Sequence, residues 1–188
     1  MAEVKVLIKG WTNADSLQKG EEENDACTTS LIRNGKIIGV VDPGIMDDKQ
    51  TLVDVLKQEG LKLEDITHVF ITHSHIDHFR NVGMFPAKTP VVEFWGVWTG
   101  NKVSDWVDQF SENIKIIKTP GHSNDGLAFL VETKKGKVAI CGDVFWKENY
   151  PDHDPYAVDM TELRKSRKKV LQIADYIIPG HGYIFKNN

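Results

Sequence analysis

The stretch His73-Ser74-His75-Ile76-Asp77-His78 places three histidines and one aspartate within six residues. It directly follows the apolar run Val69-Phe70-Ile71-Thr72, which is predicted to be a short buried strand. Side chains alternate faces along an extended segment, so His73 and His75 point the same way and can reach one ion. Imidazole and carboxylate groups bind zinc and similar first-row metals. The stretch therefore predicts a metal site at the end of a strand, in preference to a polar loop with surface histidines.

The composition is that of an ordinary globular protein. The chain has 188 residues, of which 40% are hydrophobic, and we expect residues 1–188 to form a single domain. Its formal net charge of -4 does not indicate nucleic acid or an anionic membrane as a partner. No apolar run approaches the roughly 20 residues of a membrane span, and the alternating N-terminus indicates a first strand rather than a signal peptide.

The two cysteines are far apart in the sequence. Cys27 and Cys141 form no C-x-x-C pair, which excludes a zinc ribbon. Both lie beside apolar runs, so we expect buried free thiols, as in proteins of a reducing compartment. These features predict a cytoplasmic protein and leave its oligomeric state open.

The order of the predicted elements indicates an α/β fold. In the N-terminal half, strands are predicted at 4–9, 28–33, 36–41, 69–72 and 91–94, with a hairpin turn at Asn34-Gly35. A helix is predicted from Asp47 to Gly60 and a short one at 79–85, while the polar segment 10–25 either overhangs the site or forms a solvated hairpin. In the C-terminal half, strands are predicted at 114–119, 127–133, 137–140 and 177–178, with a helix at 161–176. Strands followed by helices and further strands are typical of α/β proteins.

Four predicted strands end in side chains that can bind a metal. They are the strand before His73 and His75 and the strands before His122, Asp143 and His181. Glycine stands directly before three of these residues, where it lets the backbone turn sharply and approach closely. One such histidine alone is weak support, but the joint pattern predicts a single site assembled from the whole chain.

The ligand-type side chains of this pattern suffice for two metal ions. One ion would take His73, His75 and His122, and the other would take Asp77, His78 and His181. Asp143 would bridge the two ions because a carboxylate has two oxygens, and a shared water would complete both shells. Asp42, which follows the hairpin, either caps the next turn or orients a ligand histidine from behind.

The chain at this point resembles the metallo-β-lactamase superfamily. The resemblance rests on the H-x-H-x-D-H stretch from His73 to His78 and on Asp42, His122, Asp143 and His181, which follow the family's order. It implies an αββα four-layer sandwich, an α/β architecture (α+β in some schemes) in which two mixed sheets lie between outer helices. Segment 72–86 is similar to that of the metallo-β-lactamase-domain-containing protein 1 group, one member of which has been linked to RNA cleavage.

The resemblance implies a dinuclear metallohydrolase with two divalent metal ions. Zn²⁺ is the expected metal, and Fe or Mn are the alternatives. A hydroxide bridging the ions would attack an ester, thioester, lactone or phosphodiester bond of a small-molecule substrate. Asp77 is expected to be the catalytic residue that orients the nucleophile and carries its proton. Arg80, Trp146 and Tyr183 are candidates for the wall of the substrate pocket, with Arg80 placed to hold an anionic group.

Two other enzyme classes remain open at this point. Persulfide dioxygenases share this fold but hold one iron through two histidines and an aspartate, fewer ligands than this chain offers. A metal-dependent ribonuclease would need a surface for nucleic acid. The only basic run extends from Arg164 to Lys169, where a helix would spread the charges round its exposed side.

Three tryptophans lie in segment 95–106 and have two possible roles. Trp95, Trp98 and Trp106 either pack in the core or line the pocket.

Overall fold

The N-terminal half of the chain forms one large sheet and a small hairpin. The computed structural model describes residues 1–187. The strands of this half are β1 (Glu3–Ile8), β2 (Trp11–Thr12), β3 (Asp25–Ala26), β4 (Thr29–Asn34), β5 (Ile37–Val41), β6 (His68–Phe70), β7 (Val91–Glu93), β8 (Gly96–Thr99) and β9 (Lys102–Ser104). Strands β2 and β3 pair with each other, and the other seven form a sheet in the order β1-β4-β5-β6-β7-β8-β9. The polar segment 10–25 therefore lies largely within a hairpin of its own.

The C-terminal half forms a second, six-stranded sheet. Its strands are β10 (Gln109–Ser111), β11 (Ile114–Lys118), β12 (Leu127–Thr133), β13 (Gly136–Ile140), β14 (Tyr176–Ile178) and β15 (Phe185–Lys186), and they pair in chain order. Strands β13 and β14 are parallel, whereas the other neighbours in this sheet are antiparallel. In the first sheet, β5, β6 and β7 are parallel. Both sheets are therefore mixed.

The three α-helices connect the parallel strands. They are α1 (Gln50–Gln58) between β5 and β6, α2 (Ile76–Phe79) between β6 and β7, and α3 (Met160–Ile173) between β13 and β14. Short 3₁₀ helices lie at Leu63–Asp65, Val82–Met84 and Gly142–Val144. Parallel neighbours require such crossover connections, because a tight turn can join only antiparallel strands.

Alternation along the strands divides the buried side chains among three layers of core. In β6, Val69 packs with α1 and its surroundings, while the next residue, Phe70, packs between the two sheets. In β14, Ile177 packs with α3, while Ile178 packs between the sheets. Because successive side chains of a strand point to opposite faces, each sheet is covered by helices outside and by the other sheet inside. This is the αββα four-layer sandwich, and the fold prediction is confirmed.

The predicted elements are found with some corrections. The Asn34-Gly35 hairpin is present, and Gly35 has a φ of 60° there. The helix predicted at 79–85 is wrong, since α2 ends at Phe79 and the rest of that segment is irregular or 3₁₀. The sequence did not predict β8, β9, β10 and β15, which have four residues or fewer each. Such short strands contain too few residues to show an alternating pattern.

The three tryptophans of segment 95–106 do not line the metal-ligand cluster. Trp106 is half-buried against the core between the sheets, and its indole nitrogen donates a hydrogen bond to the carbonyl of Glu93. Trp95 and Trp98 are 72% and 41% exposed, respectively. The expectation of core or pocket positions therefore holds for Trp106 alone.

The carboxyl ends of the parallel strands deliver side chains to one edge of the sandwich. Asp42 follows β5, His73 follows β6 after two residues, Asp143 follows β13, and His181 follows β14. In open α/β sheets the region outside these strand ends is where ligands bind. The fold thus brings residues separated by up to 139 positions to one place.

Candidate metal centre

The structure brings all seven predicted ligands together in two groups. The His73 group contains His73, His75, His122 and Asp143, and the His78 group contains Asp77, His78 and His181. Within each group, one ligand atom from every residue lies within 4.8 Å of the others. The two groups match the division that the sequence predicts for two ions.

Asp143 connects the two groups. One carboxylate oxygen, Oδ1, lies 3.3 Å from Nε2 of His78. The other, Oδ2, lies 3.3 Å from Nε2 of His122 and 3.1 Å from Nε2 of His181. A single carboxylate therefore faces ligands of both groups, as a bridging residue would.

Three outer carboxylates lie beside the far ring nitrogens of ligand histidines. Asp42 Oδ2 lies 2.9 Å from Nδ1 of His78, and the same oxygen accepts a 2.7 Å hydrogen bond from the Thr72 hydroxyl. Asp154 Oδ2 lies 2.7 Å from Nδ1 of His122. Asp25 Oδ1 lies 2.7 Å from Nδ1 of His181. Asp42 and Asp154 each fix a ring so that Nε2 is left for a metal, which is the usual arrangement around ligand histidines. For His181 the hydrogen-bond partner of Nδ1 is the Ala26 carbonyl oxygen, at 3.1 Å, and Asp25 adds a nearby negative charge.

Two glycines allow close approach between the strand ends at the candidate metal centre. A Cβ on Gly180 would lie 1.8 Å from Asp143 Oδ1, so only glycine allows the two strand ends to approach this closely. Gly142 has a φ of 50°, and a Cβ there would lie 2.4 Å from the Thr72 hydroxyl oxygen. The glycines that precede the ligands thus serve close approach as well as turning.

The two groups differ in how the protein sets the pKa values of their histidines. Burial lowers the pKa of His73 and of His75, and the charges of neighbouring histidines lower it further. Burial also acts to lower the pKa of His78 and of His181, but nearby carboxylates, Asp143 first, reverse this effect. The pKa of His78 is therefore raised well above its ordinary value, and that of His181 is raised to about 10.

The carboxylates of the centre stay ionised. Burial acts to raise the pKa of Asp143, but His181, His78 and His122 together bring it well below its ordinary value. Burial likewise acts to raise the pKa of Asp77, but the nearby His78 ring outweighs this effect, so that the pKa is lowered. Ionised carboxylates are the form that binds a metal ion.

The chemistry of the buried atoms fits divalent metals. Nε2 of His73, Nε2 of His78 and Oδ1 of Asp143 are buried without a hydrogen-bond partner among residues 1–187. Buried polar atoms normally have partners, so these three require an explanation. Imidazole nitrogen and carboxylate oxygen are the donors that zinc and other first-row divalent metals accept. Metal ions between these atoms would satisfy all three.

A cavity of about 320 Å³ opens onto both groups. Its wall includes His75, Asp77, His122, Asp143 and His181. The remaining lining residues come from the β2–β3 hairpin (Thr12, Ala14, Glu23, Asp25), the ligand stretch (Ser74, Ile76) and the loop after Asp143 (Trp146, Tyr156).

Of the three predicted pocket residues, the structure places one in this cavity. Trp146 lines it and stacks on Tyr156, with ring centroids 5.9 Å apart. Arg80 is exposed at the end of α2 and is not part of the wall. Tyr183 lines a larger groove of about 660 Å³ beside β1, to which none of the seven ligands contributes. Arg80 and Tyr183 are therefore corrected as pocket residues.

The sequence analysis did not identify Asp154, Asp25, Glu23 or Tyr156. The hydroxyl of Tyr156 donates a hydrogen bond to Glu23, which raises the pKa of Tyr156 to about 12. These residues lie in loops without a periodic pattern, so no spacing rule connects them to the ligands. The one available signal was the acidic character of both loops. Asp154 belongs to the run Asp152-His153-Asp154, and Glu23 belongs to the run Glu21-Glu22-Glu23.

The two histidines outside the candidate ligand set and the basic run have structural roles or lie at the surface. His68 stacks on Phe70 and contacts Phe110 edge-on, and His153 is exposed. Arg167, in the middle of the basic run, is buried, and its guanidinium donates to the carbonyls of Val144 and Pro151. Burial of Arg167 corrects the expectation that all charges of the run lie on the exposed side of the helix.

Comparisons with known proteins identify the family of the chain. Residues 23–97 match the model of the Metallo-beta-lactamase superfamily. "Metallo-beta-lactamase domain-containing protein 1" of Xenopus laevis is 30% identical, over 97% of this chain and 81% of that protein. An "N-acyl homoserine lactonase" of Bacillus cereus is 28% identical, over 68% of this chain and 58% of that protein.

A solved structure shares the fold over nearly the full length. A protein of Thermotoga maritima, described as a candidate metallo-beta-lactamase, superposes with a TM-score of 0.74 at 22% identity, covering 98% of this chain and 99% of that one. The identity and coverage of the Xenopus protein show the family, and this structure shows the fold. The chain belongs to the metallo-beta-lactamase superfamily and is a metallohydrolase.

Proposed function

We propose that the chain is a dinuclear zinc hydrolase that cleaves the ester, thioester or lactone bond of a small molecule. The observation that carries the proposal is the position of Asp143, whose two oxygens face ligands of both groups at 3.1 to 3.3 Å. Bridging by Asp143 would make the two groups into one dinuclear site. Bound metals would supply a water of lowered pKa and would polarise the scissile oxygen.

The protein's own residues would prepare the site for that chemistry. His73, His75 and His122 would hold one ion, His78, His181 and Asp77 the other, and Asp143 both. Asp77 lines the cavity, and its Oδ2 lies 3.2 Å from Nε2 of His78 and 3.7 Å from Nε2 of His181. Its ionised carboxylate can hold the proton that the nucleophilic water gives up and pass it to the leaving group. Trp146 and Ile76 contribute apolar surface to the cavity wall.

The wall of the cavity favours a carbonyl substrate over a phosphodiester. No lysine or arginine is among the residues described as lining it, and Glu23 and Asp25 stand at its side. Enzymes that transfer phosphoryl groups commonly use arginine or lysine to hold the phosphate oxygens. The similarity to an N-acyl homoserine lactonase supports the same choice, because a lactone is a cyclic carboxylic ester.

The two alternatives gain no specific support. A ribonuclease needs a basic surface near its metals, and Arg167 of the basic run is instead buried against the loop after Asp143. A persulfide dioxygenase would use two histidines and one aspartate, whereas all seven candidate ligands are present and grouped here.

Cys27 and Cys141 are buried free thiols, which supports the proposal of a cytoplasmic protein. Within residues 1–187, no helix is long and apolar enough to cross a membrane.

Metal content and ester turnover of the purified protein test the proposal together. We expect about two zinc ions per chain by elemental analysis, and hydrolysis of at least one carboxylic ester, thioester or lactone. Asp143→Asn should lose one ion and at least about 10²-fold in activity, because the charge between the ions is removed. Asp152→Asn, on the same loop but exposed, is the matched control and should change neither quantity. One iron per chain and oxygen consumption with a persulfide would instead establish a dioxygenase.

A further inference from the structure

The entrance of the metal-site cavity is framed by two acidic loops. The hairpin segment 11–26 carries five carboxylates, Asp15, Glu21, Glu22, Glu23 and Asp25, against the single lysine Lys19. Segment 147–159 carries four, Glu148, Asp152, Asp154 and Asp159, against Lys147. The whole chain has a net charge of only -4, so negative charge is concentrated at this entrance. Such a field attracts cations and repels anions before they reach the metals.

Two contacts join these loops across the cavity. Lys147 forms an ion pair with Asp15, with 2.5 Å between Nζ and Oδ2, and the Tyr156 hydroxyl donates to Glu23. The first contact uses the only lysine of segment 147–159. No lysine, arginine or histidine forms an ion pair with Glu23 in the part of the chain that is described. The Glu23 carboxylate therefore faces the cavity with its charge uncompensated.

An aromatic surface lies next to this carboxylate. Tyr156 stacks on Trp146 with one face, its ring inclined by 22° to the indole, and the tyrosine remains 48% exposed. An aromatic face beside a carboxylate is the combination that binds ammonium groups, through the ring quadrupole and the opposite charge. The buried indole N–H of Trp146 lacks a hydrogen-bond partner within residues 1–187, and as a donor it suits the carbonyl part of a substrate rather than its ammonium group.

We propose that the cavity selects carbonyl substrates that carry an ammonium group, held between the Glu23 carboxylate and the Tyr156 ring while the scissile bond lies at the metal ligands. The cavity of about 320 Å³ is at the small end of ligand sites, so a small substrate suits it. This inference rests on the proposed hydrolytic function and specifies its substrate class. It also gives Glu23 and Tyr156 a role in specificity rather than in bond cleavage.

A matched series of esters tests the inference. Three phenyl esters with acyl chains of equal length would end in trimethylammonium, in its neutral isostere tert-butyl, or in carboxylate. For the zinc-loaded protein we expect kcat/KM to fall in that order, by about threefold to fivefold at each step. The preference for the trimethylammonium ester should shrink as salt is raised, because salt screens exposed charges. The tert-butyl ester should show no such dependence.

Variants separate a local contact from the bulk charge. Glu23→Gln should lower kcat/KM for the trimethylammonium ester relative to the tert-butyl ester, so that the preference between the two is abolished. Glu22→Gln is the matched control, since it removes the same charge from the same loop at an exposed residue outside the cavity wall. Tyr156→Leu should weaken the preference by removing the ring. Equal effects of the Glu22 and Glu23 variants, or equal rates for the cationic and neutral esters, would overturn the inference.

A binding measurement keeps this result distinct from failure of the proposed function. Calorimetry with a non-hydrolysable ketone analogue of the trimethylammonium ester should show binding that Glu23→Gln weakens by about threefold to fivefold. If no ester is turned over and the analogue still binds in this manner, the hydrolase proposal fails and the cation site stands. If esters are turned over without regard to charge, the hydrolase stands and the cation site is refuted.

Discussion

The two ligand groups have the same kinds of donor but opposite electrostatic settings. The histidines of the His73 group lie on the extended segment after β6 and on the turn after β11, while its Asp143 follows β13, and burial keeps His73 and His75 neutral. The His78 group lies on α2 and after β14, and carboxylates on the near and far side of its histidines favour their protonated forms. The first group is therefore ready for a metal ion, while the second must first lose protons. The comparison teaches that similar ligands need not bind metals with similar pH dependence.

The largest difference between the groups is expected in that pH dependence. His78 and His181 have raised pKa values, so both are protonated at pH 7 in the metal-free protein, and metal binding displaces about two protons there. The affinity of the His78 group should then rise about 100-fold per pH unit up to the lower of the two pKa values. His73 and His75 have lowered pKa values and are already neutral at pH 7, so the His73 group should depend on pH far less.

Calorimetry in buffers of different ionisation enthalpy measures the protons released in each binding step. We expect a step that releases close to two protons and another that releases few. Equal proton release in both steps would remove the electrostatic distinction between the groups.

A smaller effect is expected from the carboxylates behind the histidines. Asp42→Asn should weaken the metal of the His78 group, and Asp154→Asn that of the His73 group, each by about 10- to 100-fold. Asparagine suits position 42 in particular, because Asp42 has a φ of 48°, which asparagine tolerates. Two-site titration with zinc gives the two affinities separately. If either variant weakened both sites equally, the carboxylates would be acting on the fold rather than on single ligands.

The smallest effect is expected from Thr72, which supports the His78 group indirectly. Its hydroxyl donates to Asp42 Oδ2, so Thr72→Val should reduce metal affinity of that group by about fivefold, the value of one buried hydrogen bond. Thr119→Val is a matched control, because Thr119 is as buried and its hydroxyl has no hydrogen-bond partner in the described chain. An equal effect of both substitutions on zinc affinity would exclude a specific role for the Thr72 hydrogen bond.

The two groups also show what a single sequence can reveal. The clustering of the seven candidate ligands was predictable, because four of them lie in one six-residue stretch and three follow glycine at strand ends. The fold was implied by the family resemblance that these residues carry. Asp154 and Asp25 were not predictable, since a carboxylate in an irregular loop carries no pattern that says which histidine it will meet. The same holds for Glu23 and Tyr156, which come together across 133 residues through loop packing alone. Arg80 was misplaced because closeness in sequence to a ligand does not give the direction of a side chain on a short helix.

The central claim, that Asp143 joins two metal-binding groups into one centre, is tested most directly by diffraction at the zinc absorption edge from zinc-loaded crystals. We predict two anomalous peaks per chain, one among His73, His75 and His122 and one among Asp77, His78 and His181, with Asp143 in contact with both. A single peak, or two peaks of which only one touches Asp143, would contradict the account.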